Sequence, residues 1–165
     1  MLLGGARSGK STLAVQLAGE SATFVATGTD GDEEMAERIR RHRAERPAGW
    51  TTIEEPLALG AALGSVAREE TAVVDCLSLW VSNLVEADWG DTAIEQEAAA
   101  VAQQAAARLG LTVVVSNEVG LGIVPATPLG RRYRDLLGVV NRTFAAEADR
   151  ALLVVAGQGI ELARV

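Results

Sequence analysis

The chain has 165 residues, of which 48% are hydrophobic, a length and composition that suit one folded domain with its own core. Its formal net charge of -7 excludes an overall basic field that would hold nucleic acid or an anionic membrane surface. A single cysteine excludes an internal disulfide, and no apolar run is long enough to span a bilayer. The glycine-rich motif from Gly4 leaves no room for a signal peptide, so we expect a cytoplasmic protein.

The chain begins with three apolar residues, which are followed at once by the glycine-rich stretch GGARSGKS. This stretch fits the phosphate-binding pattern G-x-x-x-x-G-K-[ST], and STLAVQLAG after it is predicted to form a helix whose positive end faces the anion. Glycines let backbone N–H groups surround phosphate oxygens, the lysine reaches the β- and γ-phosphates, and the serine hydroxyl holds Mg²⁺. The lysine is also the only one in the chain, beside fourteen arginines. We predict a short first strand and a nucleotide-binding loop of Gly4, Gly5, Ala6, Arg7, Ser8, Gly9, Lys10 and Ser11.

Four continuous apolar runs follow along the chain, and each is predicted to be a strand. They are TFVAT ending near Thr27, TAVVD ending at Asp75, LTVVVS ending at Ser116, and ALLVVA ending at Ala156. Apolar runs without alternation are typical of strands buried on both faces of a parallel sheet. The segments between them have helical periodicity, as in the alanine-rich helix that ends at Gly110 and the helix over residues 128–148.

Together these elements predict a single α/β domain over residues 1–165, doubly wound, with a mainly parallel sheet flanked by helices. With the phosphate loop, the predicted class is a P-loop NTPase fold. Asp75 ends a strand, and an acid at that place is the usual second holder of Mg²⁺ in such proteins. An aspartate there also suits the cap of the next helix, but the loop favours the metal role. We therefore predict Ser11 and Asp75 as metal ligands, and Lys10 and Asp75 as catalytic residues.

The only histidine, His42, lies in the segment MAERIRRHRAERPAGW. A helix is predicted there that begins near Asp30 and ends before Pro47, with Met35, Ile39 and His42 on one face. The simplest interpretation is that His42 packs in an amphipathic helix. The surrounding arginines favour a neutral, nucleophilic imidazole and also bind phosphate, so attack by His42 on a nucleotide phosphorus is an equally open interpretation.

Asn117 and Glu118 follow the strand that ends at Ser116. One interpretation is that they position the substrate or take the proton of a hydroxyl group. The other is that they fix the loop GLGIVPATP, whose glycines and prolines indicate a shaped lid or a subunit contact.

The motifs in order resemble one family along nearly the whole chain. GGARSGKS, VATGTDGDEEMAERIRRHRAERPAGWTTIEEP, VVDCLSLWVSNL, VVVSNEVGLGIVP and RRYRDLLGVVNRTFAAEAD with LLVVAGQGIEL are similar to the bifunctional adenosylcobinamide kinase/adenosylcobinamide-phosphate guanylyltransferase family of cobalamin biosynthesis. The histidine-containing stretch and the SNEVGLGIVP stretch are far more specific than the phosphate loop alone.

The resemblance implies a RecA-like P-loop fold and two reactions. In the first, a nucleoside triphosphate, GTP or alternatively ATP, phosphorylates the hydroxyl of the aminopropanol arm of adenosylcobinamide. In the second, GMP from GTP is joined to that phosphate, which gives adenosyl-GDP-cobinamide and pyrophosphate. The resemblance also implies a GMP-histidine intermediate on His42, a requirement for Mg²⁺ and assembly as a homotrimer.

The resemblance further implies a guanine-nucleotide site beyond the phosphate loop. Three short stretches of this sequence match it: ATG after the second predicted strand, RAER after the histidine, and the acid in TTIEEP. Each also has a plain structural interpretation, as a turn, a helix end and a surface acid. The implied nucleotide-binding residues are Ala26, Thr27, Gly28, Arg43, Ala44, Glu45, Arg46 and Glu54, with Asp75.

Two rival functions remain for a P-loop sequence of this kind. A simple kinase would phosphorylate a small alcohol without a covalent intermediate, and His42 would then only pack. A nucleotide-binding regulatory module would transfer no group, but we expect no appended effector domain, and SNEVG is not the guanine-reading pattern N-K-x-D. His42 is the residue that decides between the simple kinase and the two-step enzyme.

Overall fold

The computed structural model describes residues 1–29, 40 and 46–164. Its strands are β1 (Leu2–Leu3), β2 (Thr23–Ala26), β3 (Thr51–Glu54), β4 (Ala72–Asp75), β5 (Thr112–Val115), β6 (Leu152–Val155) and β7 (Gln158–Glu161). Its helices, within the described ranges, are α1 (Lys10–Ala18), α2 (Leu59–Ser65), α3 (Leu77–Glu86), α4 (Asp91–Ala106) and α5 (Pro128–Glu147).

The strands form one seven-stranded sheet in the order β3-β2-β4-β5-β1-β6-β7. Every neighbouring pair is parallel except β6 and β7, which form an antiparallel hairpin at one edge. The phosphate-loop strand β1 therefore lies in the interior of the sheet, between β5 and β6. The predicted α/β fold with a mainly parallel sheet is confirmed.

Alternate residues of the central strands face opposite sides of the sheet, and both sides are covered. Val25, Val74 and Val114 are buried in one cluster with apolar residues of α2 to α5. Their neighbours Phe24, Val73 and Val113 are buried in a second cluster with residues of α1. Because both faces of the sheet pack against helices, the sequences of these strands are continuous apolar runs.

The predicted elements agree with the structure except at their ends and at the sheet edges. Three of the four predicted strands end one residue early, at Ala26, Val115 and Val155, and β1 is the expected stub. The alanine-rich helix ends at Ala106 and not at Gly110, because the amides of Leu109 and Gly110 leave the helix to donate to the carbonyl of Arg68.

Two strands were not predicted from the sequence. β3 is an edge strand with exposed threonines and one half-buried apolar residue, Ile53, and β7 is exposed along its length. Neither contains an apolar run, so the pattern that identifies buried strands is absent from both.

The predicted helix around His42 lies outside the described residues, apart from Arg40 and the residues from Arg46 onward. No helix in the described part of the chain is both long and apolar enough to cross a membrane.

Candidate active site

The phosphate loop joins β1 to α1, and two of its glycines have backbone conformations that other residues rarely adopt. Gly9 caps the start of α1 at φ 103. Gly4 has φ +153, and a Cβ there would collide with the backbone carbonyl oxygen of Val154 in β6. The motif therefore needs glycine at position 4 because the neighbouring strand passes too close for a side chain.

Lys10 is the first residue of α1 and is only 7% exposed. Its Nζ donates to the carbonyl oxygens of Gly4 at 2.9 Å and Gly5 at 2.7 Å, and lies 3.5 Å from Ser8 Oγ. A buried ammonium group needs such acceptors to offset its lost hydration. The loop carbonyls thus hold the positive charge inside the loop.

Ser11 and Asp75, which the sequence predicts as metal ligands, are in contact. The Ser11 hydroxyl donates to Asp75 Oδ2 at 3.3 Å, across the gap between α1 and the carboxyl end of β4. Adjacent oxygen ligands of an octahedral Mg²⁺ lie about 3 Å apart, because each is about 2.1 Å from the ion. Among the described residues, no group of three or more His, Cys, Asp or Glu side chains could hold a metal ion. One hydroxyl and one carboxylate, with nucleotide phosphates, are a donor set that suits Mg²⁺.

A cavity of about 250 Å³ adjoins this pair, between α1 and strands β2 and β4. Ser11, Asp75 and Arg46 all line it, together with Phe24 and Trp50. Arg46 lies with its guanidinium carbon 3.5 Å from the centre of the Phe24 ring and donates to Thr52 Oγ1 at 3.0 Å. The structure thus brings three predicted site residues to one cavity that also has an aromatic wall.

The other predicted nucleotide contacts lie along the same edge of the sheet. Glu54, Ala26 and Asp75 are register partners across β3, β2 and β4, so they form one row at the carboxyl ends of the strands. Thr27 is fully buried, and its hydroxyl bonds both backbone groups of Cys76, at 2.7 and 2.9 Å. Its side chain therefore holds β2 to β4, and Gly28 follows it as a half-buried residue.

The predicted nucleophile His42 and the predicted contacts Arg43, Ala44 and Glu45 lie outside the described residues. Arg46, the last residue of the RAER stretch, is described and lines the cavity beside Asp75.

Two parts of the site were not predicted from the sequence. The turn between β6 and β7 contacts the phosphate loop, because the Gly157 amide donates to the Ser8 carbonyl at 2.8 Å and Gly157 packs against Gly9. The glycine pattern GQG was the available signal, although nothing in its spacing names the phosphate loop as its neighbour. The second part is the wall formed by Phe24 and Trp50, whose ring centres are 6.2 Å apart.

A buried polar layer supports the edge of the sheet beside the loop. Asn117 Nδ2 donates to Ser78 Oγ at 2.9 Å, and its carbonyl accepts from Asn141 Nδ2 at 3.0 Å. Tyr133 donates to the carbonyl of Ser78 at 3.1 Å, and burial raises the pKa of Tyr133 to about 12. The phenol therefore stays protonated near neutral pH and takes no part there as a base.

Comparison with known proteins decides which family of nucleotide-binding proteins this site represents. The profile of the family described as cobinamide kinase / cobinamide phosphate guanyltransferase matches residues 1–162. The chain belongs to this family. Membership of the cobinamide kinase/guanyltransferase family confirms the prediction from the motifs, and with it the pair of activities in the family description.

Named relatives match over almost their full length. The bifunctional adenosylcobalamin biosynthesis protein CobP of Pseudomonas aeruginosa is 45% identical over 161 residues, covering 95% of this chain and 92% of that protein. The bifunctional adenosylcobalamin biosynthesis proteins CobU of Escherichia coli and Salmonella typhimurium are each 37% identical, covering 98% of this chain and 98% of each protein.

Proposed function

We propose that this protein phosphorylates the aminopropanol hydroxyl of adenosylcobinamide and then transfers GMP from GTP to the new phosphate. The product is adenosyl-GDP-cobinamide, with release of pyrophosphate. The observation that carries this proposal is the phosphate loop, in which carbonyl groups hold the buried Lys10 and the next residue, Ser11, contacts Asp75 beside a cavity that both line. A single domain provides the residues for both reactions.

Different residues of the described chain bind different parts of the nucleotide in this proposal. Backbone N–H groups of the loop and the start of α1 bind phosphate oxygens, and the Lys10 ammonium offsets the negative charge that builds during transfer. Ser11 and Asp75 are the residues that would hold Mg²⁺, which when bound draws charge from the phosphate oxygens. Glu54 and residues 26–28 line the rest of the nucleotide site in this proposal, which their position at the same edge of the sheet supports. GTP serves guanylyl transfer, and GTP or ATP serves the kinase step.

His42 is proposed as the nucleophile of the second reaction. Its Nε2 or Nδ1 attacks the α-phosphorus of GTP, the P–N bond forms, and pyrophosphate leaves with the electrons of the broken P–O bond. The phosphate of the corrinoid then attacks the same phosphorus and releases the imidazole. Supporting this role, His42 is the only histidine and precedes the cavity residue Arg46 by four positions, a span of at most about 14 Å.

The test is the intact mass of the protein after incubation with GTP and Mg²⁺, for the wild type and His42→Asn. We expect the wild type to gain the mass of one GMP and to lose it in mild acid, because P–N bonds are labile to acid. The variant should gain no mass. Arg40→Gln, an exposed change on the same segment, serves as the matched control for loss of local charge. A wild type that binds GTP without any adduct would contradict the histidine intermediate and favour the kinase alone.

We also propose that the protein assembles as a homotrimer. The family resemblance suggests it, and the loop after β5 supports it, because Leu121, Ile123 and Val124 are 83%, 96% and 59% exposed. Such a group of apolar side chains on one loop is typical of an interaction surface.

A further inference from the structure

The carboxyl end of β5 lies between the end of β4, where Asp75 is, and the end of β1, where the phosphate loop begins. In the sheet β5 lies between β4 and β1, and Val115 is the register partner of both Asp75 and Leu2. The residues after Val115 therefore pass between the predicted metal acid and the phosphate loop. This segment is therefore next to both parts of the site in the sheet.

The first two residues of this segment are anchored inward. Ser116 donates from its amide to Leu2 O at 2.9 Å and from its hydroxyl to Asn141 Oδ1 at 2.6 Å. Asn117 bonds Ser78 through its side chain and Asn141 through its carbonyl. Their polar groups fix β5 to α3 and α5, so their role is structural.

Glu118 is the first residue beyond these anchors. Its amide donates to Gly4 O at 3.1 Å, the same carbonyl oxygen that accepts from Lys10 Nζ at 2.9 Å. Its side chain is half-buried, and Oε1 accepts from the amide of Gly120 at 2.6 Å. Oε2 has no hydrogen-bond partner among the residues that the structure describes. The backbone of Glu118 is thus fixed on the same loop carbonyl that holds Lys10, and one oxygen of its half-buried carboxylate is available to a substrate.

We propose that Glu118 is the general base of the kinase step and takes no part in guanylyl transfer. This inference rests on the proposed two-step function. In the kinase step the alcohol oxygen bonds the γ-phosphorus, the bond to the bridging oxygen breaks, and the nucleoside diphosphate leaves with that electron pair. The hydroxyl proton passes to Glu118.

Guanylyl transfer, the second step, does not need a general base. Its attacking group is a phosphate monoester, which has lost most of its second proton at neutral pH because the pKa of that proton is about 6. In the first half of guanylyl transfer the nucleophile is the neutral imidazole of His42, which attacks through its unprotonated nitrogen and needs no base either. Loss of a base at this position should therefore separate two reactions that share one phosphate loop.

The experiment measures both reactions separately on the same preparations. The kinase assay follows label from γ-labelled GTP into adenosylcobinamide, and the guanylyl assay follows label from α-labelled GTP into adenosylcobinamide phosphate. The variants are Glu118→Gln, Asn117→Ala as the anchor comparison, and Glu95→Gln, an exposed change on α4, as the matched control.

We expect Glu118→Gln to lower the kinase kcat about 10²- to 10⁴-fold, the usual contribution of a general base, and to leave guanylyl transfer unchanged. Asn117→Ala should lower both reactions alike, because it loosens the strand end.

Equal losses of both reactions in Glu118→Gln would overturn the proposal, since Glu118 would then only shape the loop through Gly120. An unchanged kinase rate would overturn it as well, since the base would lie elsewhere. Failure of the proposed two-step function can be distinguished from failure of the base assignment. In that case the wild type itself would transfer no label to the corrinoid in either assay.

Discussion

The side chains that define the phosphate site are few and are each held by a different part of the chain. Lys10 is held by loop carbonyls, whereas Ser11 and Asp75 come from a helix and a strand that are distant in sequence. The motif identifies the lysine and the serine because they are local to it. Asp75 could also be identified from the sequence, because it directly ends an apolar run.

The contact between Ser11 and Asp75 predicts how activity depends on Mg²⁺. Asp75→Asn removes the charge of the proposed ligand while it keeps the shape, and a hydrogen bond or contact to a charged group contributes about 1.5–3 kcal/mol. We expect the Mg²⁺ concentration for half-maximal activity to rise about 10- to 100-fold in both reactions. The measurement is a Mg²⁺ titration of each assay, with the exposed Asp135→Asn as control. An unchanged titration curve would place the metal elsewhere.

At the scale of elements, the buried strands and the edge strands differ in how much the sequence reveals. β2, β4 and β5 are buried on both faces, so burial itself produces the apolar runs that identify them. β3 and β7 are exposed, and hydrogen bonds to a neighbouring strand define them without any apolar pattern. The sheet interior could therefore be predicted, and its two edges could not.

The same reasoning applies to the site. The phosphate loop is one continuous motif, so all of its residues can be recognised together in the sequence. The contact of Gly157 with Ser8 and the pairing of Phe24 with Trp50 join residues from separate elements. Spacing along the chain does not record such contacts, so only the packed structure reveals them.

The close approach of β6 to the phosphate loop predicts unequal effects for two adjacent glycines. In Gly4→Ala the new methyl group meets the Val154 carbonyl at an unfavourable φ, whereas Gly5→Ala meets no atom within 4 Å. We expect Gly4→Ala to lower the free energy of unfolding by about 3 kcal/mol or more, and Gly5→Ala by less than about 0.5 kcal/mol. Urea unfolding of both variants measures this. Equal stabilities would mean that the strand and the loop are not in contact.

At the scale of the whole molecule, the loop after β5 presents apolar side chains on a backbone that polar contacts hold in place. Arg131 donates to the carbonyls of Pro125 and Ala126 at 3.0 and 2.8 Å, and Thr127 accepts from Gly130 at the start of α5. The exposure of Leu121 and Ile123 is therefore part of a defined conformation. A fixed, outward apolar surface is what a subunit contact requires.

This surface predicts the result of removing its two most exposed side chains. Burial of a leucine or isoleucine stabilises an interface by roughly 1.5–3 kcal/mol, so the double variant Leu121→Ser and Ile123→Ser should weaken each subunit contact at least about hundredfold. Sedimentation or light scattering should then give three chain masses for the wild type and one for the variant. Leu109→Ser, also in a 71% exposed position but in the turn after α4, should remain trimeric. A double variant that stays trimeric would move the interface to another face. A trimer lost together with kinase activity but not nucleotide binding would mean that neighbouring subunits complete the corrinoid site.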